Sequence, residues 1–181
     1  LQGQLTCDVK QLAANQSTLG ARCNPKGRMQ SSFRLLRNQA DGYWLSLDRG
    51  LVAAQMADLG KYAPFFKTTL QDISSHWLRL ALWGEKVSDA LAACALQWPQ
   101  HTHAVSRQPG ALVVRLGDNS AEIWLEADQA MPQVEALLRH ARPAHLNQWQ
   151  LAQIRAGVGQ VSSATFEHFI PQMLNLQALG G

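Results

Sequence analysis

Two adjacent hydroxyl side chains, Ser31 and Ser32, are the groups that the sequence places most clearly. They follow residues 24–27, Asn-Pro-Lys-Gly, which have the residue chemistry of a type I turn between two strands. The alternation beyond this turn predicts a strand over residues 29–37, with Ser31 on the same apolar face as Met29. Such a serine either fills a tight space, with its hydroxyl bonded to the backbone, or leaves room for a ligand. The residues alone favour the bonded serine.

Charged and metal-binding side chains offer two further constellations. His101 and His103 would lie on one side of a predicted strand, but no carboxylate or cysteine accompanies them, so we predict no metal site. Four arginines lie in the predicted hairpin on either side of the turn at residues 24–27, which we call the opening hairpin. They would either contact phosphate or form an exposed, charged sheet face, and we favour the exposed face. These arginines are Arg22, Arg28, Arg34 and Arg37.

The remaining chemistry is sparse. The sequence has no phosphate-binding loop, no dinucleotide glycine fingerprint and no nucleophile elbow, and we assign no catalytic residue. Cys7, Cys23 and Cys94 are odd in number and widely spaced, which favours reduced thiols in a cytoplasmic protein. The six tryptophans mostly suit core packing, although one or two could stack on a flat heterocycle.

The composition is that of a globular protein. The 181 residues are 46% hydrophobic and 16% charged, and the apolar run at residues 78–83 is far too short to span a bilayer. A net charge of +3 permits an anionic partner but falls short of the basic stripe of a dedicated nucleic-acid binder. Since the chain starts at Leu1 without a signal-peptide pattern, we expect a fragment of a soluble protein.

The predicted elements that position these groups alternate between strand groups and single helices. Helices are expected after Asp48 as far as Pro64, from Gly84 to Pro99, around residues 134–138 and over residues 145–156. Strands are expected at residues 18–23, 29–37, 43–47, 68–73, 77–83, 101–107, 111–116 and 121–126. Short links between strands predict an α+β fold, with antiparallel sheets and helices packed on one face. Residues 1–181 form one region whose internal boundaries the sequence does not resolve.

Four segments resemble the YgfZ branch of the aminomethyltransferase, or glycine-cleavage T-protein, superfamily. They are LQGQLTCDV at residues 1–9, NPKGRM at 24–29, KYAPFFK at 61–67 and FIPQMLNLQALGG at 169–181. The resemblance spans essentially the whole chain and implies the folate-binding region of an aminomethyltransferase-like fold. The family pattern starts with an earlier strand and continues into a Lys-Gly-Cys-Tyr-x-Gly-Gln-Glu signature and a C-terminal barrel, so the resemblance also implies an incomplete protein.

The resemblance implies a protein that binds tetrahydrofolate or a derivative. It further implies an accessory role for iron–sulfur enzyme clients, with an indirect link to tRNA modification. T-proteins carry a pair of aspartates on the strand after the glycine turn, where this chain has Ser31 and Ser32. Because a serine has no charge and is not a base near pH 7, the resemblance implies folate binding without T-protein aminomethyl transfer.

The resemblance also supplies candidate ligand contacts. Asp48 falls near a T-protein asparagine, and Arg115 and Glu122 fall in an Arg-x-Gly…Glu-Ile pattern, where the Glu122 carboxylate could accept two hydrogen bonds from a pterin ring. The predicted folate contacts are Met29, Ser31, Ser32, Asp48, Arg115, Glu122 and Arg155. Two alternatives stay open: a folate-dependent one-carbon transferase with another acid in place of the aspartates, and a tRNA or protein docking module that uses the arginine-rich hairpin.

Overall fold

The structure, a computed structural model, describes residues 2–38 and 42–180. The strands in this part of the chain are β1 (Ser17–Cys23), β2 (Met29–Arg37), β3 (Tyr43–Leu47), β4 (Trp77–Trp83), β5 (Val105–Gln108), β6 (Ala111–Gly117) and β7 (Ser120–Glu126). The α-helices are α1 (Arg49–Gly60), α2 (Val87–Ala93), α3 (Ala130–Leu138) and α4 (Leu146–Arg155). Short 3₁₀ turns occupy Gln2–Gln4, Ala63–Phe66, Ser74–His76, Ser163–Thr165, Pro171–Leu174 and Leu176–Leu179. The predicted α+β class is confirmed.

The chain divides into two compact units. The first contains Leu1–Ala13, Thr18–Asp72 and Leu151–Gly181, and the second contains Ala14–Ser17 and Ile73–Gln150. Within the described residues, no helix is long and apolar enough to cross a membrane.

The first unit is built on a three-stranded sheet with the order β1-β2-β3. The predicted turn joins β1 to β2, since the Asn24 amide donates to the Arg28 carbonyl at 2.8 Å and the Gly27 amide donates to the Asn24 carbonyl at 2.9 Å. Gly27 has a φ of 75°, a conformation that glycine adopts without steric cost. Strand β3 runs antiparallel to β2, with Phe33 opposite Leu47. The predicted bounds of β2 and β3 match those of the structure.

Two apolar clusters pack against β2, one near its start and one in its second half. Met29 packs in one cluster with Leu51 and Val161. Phe33 and Leu35 pack in another, against the segment that contains Leu5 to Leu12.

The second unit contains an antiparallel sheet with the order β4-β7-β6-β5. One face of this sheet, including Val113 and Ile123, forms a core cluster with Leu91 of α2 and Leu137 of α3. The expectation of helices on one face of an antiparallel sheet is confirmed here. Strand β4 joins the three later strands, so the predicted triplet is a four-stranded sheet.

Two predicted strands were wrong in whole or in part. Residues 68–73 are irregular, although Thr and Ile favour strands, because strand propensity takes effect only where a partner strand pairs. His101 and His103 lie in a turn before β5, where His103 has a φ of 69° and the Ala104 amide donates to the His101 carbonyl. The two imidazoles therefore do not share a strand face. The described chain has no group of three or more residues able to hold a metal ion.

Candidate functional site

Ser31 and Ser32 lie on β2 in the first unit, and both are buried. The Ser31 hydroxyl donates to Oε1 of Gln55 on α1 at 3.1 Å. The Ser32 hydroxyl accepts a hydrogen bond of 2.8 Å from the backbone amide of Val161. The two serines thus connect β2 to α1 and to the segment around residue 161. Serines bonded to the protein are what the residues alone favoured, although the partner of Ser31 is a side chain.

Gln55 and Asp58 hold a buried arginine in the first unit. The side chain of Arg22 is 6% exposed, and its Nη2 is ion-paired with Oδ2 of Asp58. Its Nη1 donates to Oε1 of Gln55 at 3.3 Å, while its Nε is buried without a hydrogen-bond partner in the described structure. Asp58 also accepts from Nζ of Lys61 at 2.7 Å. Sequence reasoning missed this network, although the i, i+3 spacing of Gln55 and Asp58 places both on one face of the predicted helix.

The two cations determine the acid–base state of Asp58. Hydrogen bonds from Lys61 and then from Arg22 lower the pKa of the Asp58 carboxyl. A carboxylate with a lowered pKa is a weak proton acceptor near pH 7, so Asp58 is poorly suited to replace the aspartates that T-proteins carry.

A pocket of about 250 Å³ opens beside this network. Its wall comes mainly from α1. Gln55 and Asp58 are among its lining residues, and the contacts of both side chains with Arg22 fix this part of the lining. The lining residues are Gln30, Ala54, Gln55, Ala57, Asp58, Lys61 and Phe166. All of them belong to the first unit.

The opening hairpin does not present four exposed arginines. Arg22 and Arg34 are only 5% and 8% exposed. Arg28 is exposed, but its Nη1 donates to the His168 carbonyl at 2.9 Å. The expected arginine-rich surface is therefore reduced to Arg28 and the half-buried Arg37.

Glu122 lies on β7 in the second unit, and its side chain is 15% exposed. Its Oε2 accepts a hydrogen bond of 3.2 Å from the indole nitrogen of Trp124, and its Oε1 lies 3.6 Å from Nη2 of Arg79. The Arg79 guanidinium also lies 5.5 Å from the centroid of the Trp124 ring, and Trp77 meets that ring edge-on at 6.3 Å. Glu122 therefore has a fixed environment, unlike an ordinary solvated strand residue.

Arg115, on the neighbouring strand β6, is held by contacts within the protein. Its guanidinium donates to the backbone carbonyls of Gly117 and Gln100 and lies 4.9 Å from the centroid of the Trp98 ring. Its cross-strand partner is Ala121, whereas Val114 pairs with Glu122. Because alternate residues of a strand point to opposite faces, Arg115 and Glu122 lie on opposite faces of this sheet.

The other predicted folate contacts lie in the first unit. Met29 has no exposed surface and packs in an apolar cluster. Asp48 caps α1, as its carboxylate accepts from the Gly50 amide at 2.9 Å, which confirms the predicted helix start. Arg155 is exposed in the last turn of α4. The structure therefore places five of the seven predicted contacts in the first unit, and their role in binding folate stays a prediction.

The three cysteines, Cys7, Cys23 and Cys94, are free. Burial raises the pKa of each thiol. All three are therefore mainly protonated near pH 7, a state in which a thiol is a poor nucleophile.

The fold is that of an aminomethyltransferase. The chain is similar to the crystal structure of the glycine cleavage system aminomethyltransferase T from Bartonella henselae, with a TM-score of 0.64 and 25% sequence identity over 75% of this chain and 38% of that one.

The chain also has sequence relatives among YgfZ proteins. The tRNA-modifying proteins YgfZ of Edwardsiella ictaluri and Pectobacterium carotovorum are 34% identical to the chain, and that of Shigella sonnei is 35% identical, each across 100% of this chain. The chain is thus homologous to YgfZ proteins, as the sequence segments indicated, and spans only 54–56% of the length of these three relatives. No family model matches it.

Replacing Asp58 with alanine should destabilise the first unit strongly. The substitution leaves the buried Arg22 without its counter-ion, and breaking such a pair typically costs about 3 kcal/mol or more of unfolding free energy. Chemical denaturation of the full-length protein measures this loss.

The matched control is Lys61→Ala, which removes the other cation that Asp58 contacts but leaves the Arg22–Asp58 pair in place. Lys61 is exposed, so this variant should unfold close to the wild type. Equal effects of the two substitutions would show that the buried pair does not support the unit.

Proposed function

We propose that the protein binds tetrahydrofolate or a derivative, with Glu122 receiving the pterin ring. The environment of the Glu122 carboxylate carries this proposal. Each of its oxygens has one neighbouring donor, from Trp124 or Arg79, and a carboxylate has about four acceptor sites in all. Glu122 therefore keeps the capacity to accept two parallel N–H groups from an amino-pyrimidine edge.

The side chains around Glu122 suit a flat ring. Trp77 and Trp124 give an aromatic environment on the same strand pair, and Nη2 of Arg79 lies 3.6 Å from Oε1 of the carboxylate. Small-molecule sites commonly combine apolar walls with a few fixed polar groups. When bound, tetrahydrofolate supplies a carrier for one-carbon units, and the residues around Glu122 bind and orient its ring. Similarity to an aminomethyltransferase and to YgfZ proteins also supports the proposal.

We further infer that the protein does not transfer aminomethyl groups by the T-protein route. The family resemblance aligns Ser31 and Ser32 with the T-protein aspartates, and both hydroxyls form hydrogen bonds within the protein. Asp58, connected to Ser31 through Arg22 and Gln55, is held in its ionised form by two cations, which lower its pKa. In the described structure the partners of the two serine hydroxyls are an amide oxygen and a backbone amide, and neither partner is an acid.

The biological role that fits a folate-binding protein without transfer chemistry is an accessory one. We infer that it supports iron–sulfur enzymes, including those that methylthiolate tRNA, in the cytoplasm. The relatives are named tRNA-modifying proteins, which agrees with this inference, and the chain spans about half of their length.

Glu122→Gln should weaken tetrahydrofolate binding about tenfold or more. An amide has one acceptor oxygen and no charge, and a hydrogen bond to a charged group is worth about 1.5–3 kcal/mol. Quenching of tryptophan emission during titration of the full-length protein reports the affinity.

Glu126→Gln is the matched control, since Glu126 lies on the same face of β7 four residues further on. It should bind as the wild type does. Equal affinity of all three proteins would remove Glu122 from the site, and a flat titration of the wild type would refute folate binding itself.

The wild-type protein should not form methylene-tetrahydrofolate from an aminomethyl donor above the uncatalysed rate, because Ser31 and Ser32 provide no charge for the transfer. Chromatography of the folate products measures this reaction. The Bartonella henselae aminomethyltransferase serves as the active control. Product formation by the wild-type protein would establish a one-carbon transferase instead.

The accessory role predicts a phenotype in a Shigella sonnei strain that lacks its YgfZ protein. The full-length wild type and Glu126→Gln should restore methylthio-modified nucleosides in tRNA, measured by mass spectrometry, and Glu122→Gln should restore much less. Full restoration by a Glu122→Gln variant that no longer binds folate would show that the accessory role in tRNA modification does not require folate binding.

A further inference from the structure

The pocket beside α1 has features that folate recognition by Glu122 does not use. We propose that this pocket binds one nucleoside monophosphate unit, either free or as an unpaired nucleotide of RNA. The base would lie in the pocket and the phosphate at Lys61. The proposal does not depend on folate binding, since its residues all belong to the first unit and Glu122 belongs to the second.

The size of the pocket restricts its ligand. About 250 Å³ lies below the roughly 300–1,000 Å³ of pockets that take drug-sized ligands. A single base-sized ring is therefore the appropriate occupant, and a whole folate molecule is too large. Ala54 and Ala57 leave this space open on the α1 side, because the side chain of each is only a methyl group.

Two glutamines give the pocket a donor and an acceptor. Nε2 of Gln55 donates to the Gln30 carbonyl at 3.4 Å, and its second N–H has no protein partner in the described structure. Nε2 of Gln30 donates to Oε1 of Glu167 at 2.9 Å, which orients the Gln30 amide and leaves its Oε1 without a donor among the described residues. Adjacent donor and acceptor groups are what proteins use to recognise the edges of bases.

The support behind the glutamines fixes this arrangement. Oε1 of Gln55 accepts from both Arg22 and Ser31, so its amide cannot rotate without breaking contacts with a buried charge. The side chain of Arg22 is only 6% exposed, and its Nε lacks a hydrogen-bond partner in the described chain. A polar environment of this kind is costly to build and is consistent with a ligand site.

The rim of the pocket suits a phosphate next to an aromatic ring. Phe166 lines the pocket, and aromatic side chains commonly stack on unpaired bases. Lys61 also lines it, and its side chain is 69% exposed, so its ammonium group can contact a phosphate oxygen while one N–H remains on Asp58. Asp58 is neutralised locally by Arg22, which limits its repulsion of an anion.

The test is calorimetric titration of the full-length protein with AMP, GMP, CMP and UMP. At least one should bind saturably at sub-millimolar to millimolar concentration. Ala54→Leu places a larger side chain in the pocket and should weaken binding at least tenfold. Ala53→Leu is the matched control, because Ala53 is an exposed neighbour on the same helix that does not line the pocket, and it should change the affinity less than twofold.

Lys61→Gln tests the phosphate contact without filling the pocket. It should weaken the monophosphate several-fold and leave the affinity for the corresponding nucleoside unchanged, whereas Lys67→Gln, at a lysine outside the pocket lining, should affect neither. Tighter binding of a single-stranded RNA oligonucleotide than of the monophosphate would identify RNA as the source of the nucleotide, and tighter binding of the monophosphate would identify the free nucleotide.

Three results would overturn the proposal: no saturable binding of any of the four monophosphates, undiminished binding by Ala54→Leu, or displacement of the nucleotide by tetrahydrofolate. The last result would assign the pocket to the folate site. A failure here leaves the Glu122→Gln titration unaffected, so the two proposals fail separately.

Discussion

The first unit depends on satisfying one buried positive charge, the guanidinium of Arg22. Removing such a charge from water costs several kcal/mol unless ion pairs and hydrogen bonds replace the lost hydration. Asp58 supplies the counter-charge and Gln55 supplies a carbonyl oxygen, and both come from α1. The packing of α1 on β1 and β2 is therefore specified by polar geometry in addition to apolar contact. Ser31 of β2 is part of the same arrangement, because its hydroxyl donates to the same oxygen of Gln55.

The carboxylates of Asp58 in the first unit and Glu122 in the second differ in how many of their acceptor sites are occupied by donors of the protein. Asp58 has a cation on each oxygen, and its lowered pKa reflects that saturation. Glu122 has one indole donor at hydrogen-bond distance and one more distant arginine. A carboxylate that is already satisfied stabilises the fold, whereas one with spare acceptor sites can exchange water for a ligand. This difference is the physical basis of the proposal that Glu122 recognises folate.

Local patterns were predictable from sequence and long-range partners were not. The turn at residues 24–27, the bounds of β2 and the cap at Asp48 follow from short-range turn and helix chemistry. The strand expected at residues 68–73 failed because pairing is a non-local property. At the candidate site, the i, i+2 spacing on β7 places Glu122 beside Trp124, but nothing in the sequence shows that Arg22 reaches Gln55, 33 residues away.

The side-chain oxygen of Gln55 gives Ser31 a structural role of its own, because Ser31 is one of the two donors that this oxygen needs. It accepts from Ser31 at 3.1 Å and from Arg22 at 3.3 Å, so it needs donors on both sides. An ionised aspartate at position 31 would bring an acceptor against an acceptor and would compete with Asp58 for the same guanidinium. The chemistry of a transferase and the internal charge balance of this unit are therefore alternatives at one position, and the chain has the residue that suits the second.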